Sequence, residues 1–178
     1  MEYLDVLNAD GTPAGYKLPR PEVHAQSLWH AAAHIWFINS KKELLLQRRS
    51  PLKETGPNQW DVSCGGHIEA GTTPLEGALR EIEEELGLKL NPDELVHIFT
   101  VSQGAERVGP DKNKEFNQVY LVTRDLDLST LTLQETEVAE VRYMPWREVK
   151  QHIEAADPTY CDHTNEYQAL FEYLETHA

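Results

Sequence analysis

The chain has 178 residues, with 30 acidic against 16 basic side chains and a formal net charge of −14. That length suits one compact domain with a short extension, and 40% hydrophobic residues suffice for a core, which argues against disorder. The acidity argues against nucleic acid as a bulk partner and against an anionic membrane surface, and no apolar run approaches the roughly 18 residues of a membrane span.

In chain order, residues 3–7 alternate like a strand, residues 8–11 carry turn chemistry, and residues 15–18 return as a partner strand. Residues 1–22 therefore read as an N-terminal hairpin extension, punctuated by Pro19 and Pro21, ahead of a main domain spanning 23–178. Residues 33–38 are apolar enough for a central strand, and 44–49 return beside them. A loop over 50–59 leads to a short strand at 60–64, which ends at a Gly65-Gly66 turn. The spacing predicts a helix over 73–86 with Gly87 as its C-terminal cap. Strands near 96–102, 116–123 and 138–144 follow, then a helix opened by Pro145 and a last helix near 165–176. Strands and helices in this mixed order predict an α/β fold, a sheet covered by helices on both sides. Met1 is followed by Glu2 and Asp5 rather than a basic and then apolar leader, and Cys64 and Cys161 make no disulfide framework, so the cytoplasm is the expected compartment.

The chemistry concentrates between Gly65 and Leu88. On a helix, Glu81, Glu84 and Glu85 fall within an arc of roughly 100°, with the apolar stripe of Leu75, Ala78, Ile82 and Leu86 beside them. Crowded carboxylates repel, so the arrangement makes sense where something cationic sits among them. Hard divalent cations prefer such oxygens, and a backbone carbonyl at Gly65-Gly66 is a further candidate donor. Arg80 is placed to pair with a carboxylate and hold it. The competing reading of a bare glutamate run is a solvated acidic helix face.

The same stretch resembles the Nudix box, G-x5-E-x7-R-E-U-x-E-E-x-G-U with U aliphatic. Gly66, Arg80, Glu81, Ile82, Glu84, Glu85, Gly87 and Leu88 stand on its fixed positions, and only the first glutamate departs, being Thr72 here. In the family that glutamate supports the loop–helix geometry and sometimes a metal. The runs VHAQSLWHAAAHIWFIN, LLLQRR, WDVSCGGHIEAG, KEFNQVYLV and ETEVAEVRYMPWREV resemble the branch related to isopentenyl diphosphate isomerase. The resemblance implies an α/β/α sandwich around a mixed sheet, and hydrolysis of a diphosphate linkage in a small molecule with Mg2+ or Mn2+. It matches Glu81, Glu84, Glu85 and the Gly65 carbonyl to metal ligands and Arg80 to the residue that orients them. Glu115 is matched to an acidic ligand or base brought from a neighbouring strand.

The related isomerases carry an acid–base cysteine at the position of Gly65; here Cys64 is one residue early, which on a strand points it to the opposite face. They also bind a metal through histidines, to which His30 and His67 correspond, and His24 with a shifted gap. An isomerase-like enzyme and a non-catalytic diphosphate-binding module, the latter favoured by Thr72 alone, stand as alternatives to the hydrolase. In the hydrolase reading Glu81 or Glu115 takes a proton from water, and Arg48 or Arg49, His67, Lys112 and Lys114 are candidate phosphate contacts. The N-terminal hairpin and an exposed strand edge suit a homodimer.

Overall fold

A computed structural model describes residues 1–104 and 113–178. Strands β1 (Tyr3–Leu7) and β2 (Pro13–Pro19) form the hairpin, and a short helix α1 (Arg20–Ala25) leads into β3 (Trp29–Ile38) and β4 (Glu43–Arg49). Two short strands, β5 (Trp60–Asp61) and β6 (Cys64–His67), precede helix α2 (Pro74–Leu86). Then come β7 (Val96–Gln103), β8 (Lys114–Thr123), β9 (Val138–Pro145) and helices α3 (Trp146–Glu154) and α4 (Thr164–His177).

Strand β3 organises the sheet. It runs parallel to β8 from Trp29 opposite Lys114 to Ile38 opposite Thr123. Its other edge meets β1 at Trp29, β6 from Ala32 to Ile35, and β4 at Ile38, all antiparallel. Beyond these, β7 adds to β8, and β9 and β5 add to β4. The sheet is therefore mixed.

Both faces of β3 are covered, which explains its nearly unbroken apolar sequence. Ala33, Ile35 and Phe37 pack with Ala78, Ile82 and Leu86 of α2. Trp36 and Ile38 pack with Val149 of α3 and Leu170 and Leu174 of α4. The result is the α/β/α sandwich that the sequence predicts. Among the described residues no helix is long and apolar enough to cross a membrane.

The N-terminal hairpin belongs to this sheet. Leu4 and Val6 share a third small core with Val23 of α1, and β1 bridges to Glu69 through Leu4. The segment expected as a proline-punctuated link is helical at 20–25, because the fixed φ of Pro21 suits a first helical turn.

The Gly65-Gly66 pair is not a turn; it lies within β6, with Gly65 opposite His34 and Gly66 opposite Ala33. A Cβ at residue 65 would stand 2.7 Å from the Ala33 carbonyl oxygen and 2.9 Å from His34 Cδ2. Glycine serves close approach here rather than a change of direction. The single strand expected at 60–64 is accordingly two, β5 and β6.

Candidate functional site

Helix α2 is built to a definite start and stop. Thr73 Oγ1 accepts from the Glu76 N–H while the Glu76 carboxylate accepts from the Thr73 N–H, a reciprocal cap, and Pro74 fills the first turn. Gly87 closes the helix at φ 68°, in the left-handed region that glycine occupies without strain. Between those ends the buried stripe of Ala78, Ile82 and Leu86 fixes the rotation of the helix, and so fixes where its glutamates point.

Glu85 points inward. It is 4% exposed, and its Oε2 accepts from Gln47 Nε2 (3.0 Å) and from the Gly65 N–H (3.2 Å). Burial, then the charge of Glu81, pushes its carboxyl from an ordinary 4.5 up to about 8 against those two hydrogen bonds. Glu81 lies over β6: a Cβ on Gly66 would sit 2.5 Å from its carboxyl atoms. Burial and nearby Glu84 raise Glu81 to about 7, with Arg80 pulling the other way. Glu84 has a half-exposed side chain at the rim. Arg80 is the hub: Nη2 donates to the His67 carbonyl at 3.1 Å and lies 3.4 Å from Glu81, Nε lies 3.9 Å from Glu84, and Nη1 donates to Glu69 at 2.8 Å.

Two carboxyls so far removed from water, with Glu81 close enough to raise Glu85, are costly as anions unless a cation joins them. Their all-oxygen donor set fits a hard divalent ion such as Mg2+ or Mn2+. Glu81, Glu84 and Glu85 would hold it. Gly65 lies beside them, its N–H engaged by Glu85.

Glu115 meets histidines of β3 and β6. The parallel register sets it opposite His30 on β3, and its Oε1 lies 3.6 Å from His30 Nε2 and 3.2 Å from His67 Nε2. His24, from the last turn of α1, completes a trio whose tilted rings have centroids 5.0–5.2 Å apart. All three Nε2 atoms are buried without an aligned hydrogen bond. Burial, then His67 and His30, lowers His24 to about 4, which leaves it in the neutral form that binds metals. Burial pushes Glu115 up, but the two imidazoles outweigh it and hold the carboxyl well below its ordinary range. The trio with Glu115 thus fits a second cation, one that accepts nitrogen donors.

The basic residues expected at the phosphate are engaged elsewhere. Arg48 donates to Asn58 and Glu140, and Arg49 donates to the Thr55 carbonyl and to Asp61. Both guanidiniums thus hold the protein's own oxygens. His67 belongs to the histidine trio, Lys114 lies over the Trp29 ring, and Lys112 falls outside the described residues. Cys64 is fully buried in the α2-side core, and desolvation lifts its thiol far above its ordinary value, as suits a small hydrophobe.

Two features escaped the sequence reading. Glu69 is the partner of Arg80, and only the fold brings the pair together. Toward α4, His34 Nδ1 meets Glu166 at 2.6 Å, the Trp36 indole donates to the same carboxylate, and His163 Nε2 meets Asp61 at 2.7 Å. Burial pulls His34 down, but the charge of Glu166 reverses this and raises it to about 9. Their separations in the chain, |i−j| of 132 for His34–Glu166 and 102 for His163–Asp61, leave no local signal.

The NUDIX domain profile matches residues 28–162. Nudix hydrolase 3 of Arabidopsis thaliana is 43% identical over 179 residues, covering 97% of this chain, which spans only 23% of that longer relative. An isopentenyl-diphosphate Delta-isomerase of Escherichia coli is 31% identical over 156 residues, covering 86% of this chain and 82% of the relative. The crystal structure of DR0079 from Deinococcus radiodurans superposes with a TM-score of 0.74 at 23% identity, covering 94% of this chain and 98% of that one.

Proposed function

The chain belongs to the NUDIX domain family, and from that premise we propose that it hydrolyses the diphosphate linkage of a small molecule, such as a nucleoside diphosphate derivative, with a divalent cation on α2. The observation that carries this is the seating of Glu81 and Glu85. Buried Glu85 and half-buried Glu81 both stand against β6, with Arg80 on Glu81 and Gly66 where a side chain would block it.

A bound divalent cation would screen the diphosphate and make a water molecule more acidic. The chain supplies the rest. Arg80 holds the Glu81 carboxyl, Gly66 leaves room for it, and Gln47 with the Gly65 N–H fixes Glu85. Glu81, which Arg80 holds against β6, is the proposed proton acceptor.

A second reading, isomerisation of an isoprenoid diphosphate, is favoured by the His24, His30 and His67 trio. It is opposed at residue 65, where the acid–base cysteine of the isomerases has no room beside Ala33 and His34. Cys64 faces the opposite core. The test is phosphate release from a panel of nucleotide and isoprenoid diphosphates with Mg2+, alongside isomerisation of isopentenyl diphosphate. Wild type is expected to release phosphate and Glu84→Gln to lose that activity. Equal release by both overturns the α2 assignment, and isomerisation without any phosphate release overturns the hydrolase.

A further inference from the structure

Thr72 replaces the glutamate that the Nudix pattern places ahead of α2, so the helix start lacks an acid that family members use there. The guanidinium of Arg80 nevertheless has a carboxylate partner: Glu69, with Nη1 to Oε2 at 2.8 Å. We infer that Glu69 is the positioning residue for Arg80, and through it for Glu81, in the place that Thr72 has vacated. The inference rests on the hydrolase reading and deepens it.

Glu69 is itself held from two sides. Its carbonyl accepts from Thr72 Oγ1 at 2.6 Å and from the Thr72 N–H at 3.1 Å, so the residue that replaces the motif acid now ties the turn. On the other side, Leu4 of β1 bridges to Glu69, the Ala70 N–H donates to the Tyr3 carbonyl, and the Gly71 N–H donates to the Asp5 carboxylate. Gly71 stands at φ +82°, which lets the chain turn toward the helix cap. The N-terminal strand therefore braces the loop that carries Glu69.

The reason Arg80 needs this anchor is competition. Its other contacts with acids are long, 3.4 Å to Glu81 and 3.9 Å to Glu84. Released from Glu69, the guanidinium is free to close on those same oxygens, where it would displace a divalent ion. Glu69 holds Arg80 at the 3.4 Å contact that orients Glu81 and keeps it from closing further. The Glu69 and Arg80 side chains are 48% and 31% exposed, so the pair adds little to folding stability. Its effect lies in alignment.

The experiment compares wild type, Glu69→Gln, Thr72→Glu and the double variant by Mg2+ titration calorimetry, steady-state phosphate release and thermal unfolding. Mg2+ is the probe because the histidine trio disfavours so hard an ion. Glu69→Gln is expected to lose about 10-fold in Mg2+ affinity and in kcat/KM, the usual scale for an orienting partner, with Tm lowered by less than about 3 °C. Adding Thr72→Glu is expected to recover most of both. Unchanged Mg2+ affinity in Glu69→Gln, or a loss that Thr72→Glu leaves in place, overturns the inference alone. Mg2+ binding that follows the expected order, without turnover of any substrate by wild type, supports the inference and overturns the hydrolase reading. Wild type that binds no Mg2+ overturns both.

Discussion

Replacing Glu85 by glutamine removes one buried titrating group while keeping an oxygen for Gln47 Nε2 and the Gly65 N–H to donate to. In the unfolded chain this carboxyl ionises near 4.5; in the metal-free fold it does so near 8. A group raised by folding contributes stability below its unfolded value, and that contribution is lost as pH rises through the folded one. Each pH step inside that window costs about 1.4 kcal/mol, so wild type without metal should lose on the order of 2–4 kcal/mol between pH 5 and 9. Glu81, raised to about 7, adds to the same slope. The variant should lose clearly less. Saturating Mg2+ should flatten the wild-type profile, because the cation binds only the folded, ionised form, and should do much less for the variant. The assay is urea unfolding at several pH values, with chelator and then with Mg2+. Parallel profiles for wild type and Glu85→Gln would refute the reasoning, since the slope would then originate elsewhere.

Gly66→Ala should abolish most activity with little change in fold, because the added Cβ falls 2.5 Å from the Glu81 carboxyl in a strand with ordinary backbone angles. A displacement of about 1 Å at a reacting group costs about 100-fold, and retained kcat/KM would contradict the placement of Glu81. Glu166→Gln should destabilise by about 3–5 kcal/mol at neutral pH by stripping the counter-charge from buried His34; denaturant unfolding checks it, and a loss below about 1 kcal/mol would contradict the pairing. His30→Asn should reduce the binding of Mn2+ or Zn2+ without altering Mg2+ affinity at α2, read by metal content after dialysis. Equal transition-metal content in variant and wild type would dissociate the histidine trio from metal.

The sequence made legible what depends on local pattern. Helix α2 could be drawn from Thr73 to Gly87 because its cap, its apolar stripe and its stop signal are all within a few residues of one another. The shared face of Glu81, Glu84 and Glu85 followed from helical spacing alone. What stayed hidden depends on pairing between distant segments. Gly65 and Gly66 look like a turn in one dimension; only the ladder to β3 shows that their missing side chains admit His34 and Glu81. That Glu115 faces His30 is visible only in the β3–β8 register. The partners of Arg48 and Arg49, candidate phosphate contacts by sequence, stayed hidden because Glu140, Asn58 and Asp61 lie on other elements or across a loop.

The parallel pairing of β3 with β8 also has a consequence for how the molecule is made. Trp29 waits for Lys114 and Ile38 for Thr123, so the most apolar strand of the chain obtains its longest neighbour only after two-thirds of the sequence exists. Loops of that size close late and slowly. Until then the β8-facing edge from Ala33 to Ile38 is unpaired and sticky, the kind of segment on which refolding chains associate. Pulsed hydrogen exchange during refolding should show the β3 and β8 amides gaining protection in the same slow phase, well after α2, and the yield of native protein should fall as its concentration rises.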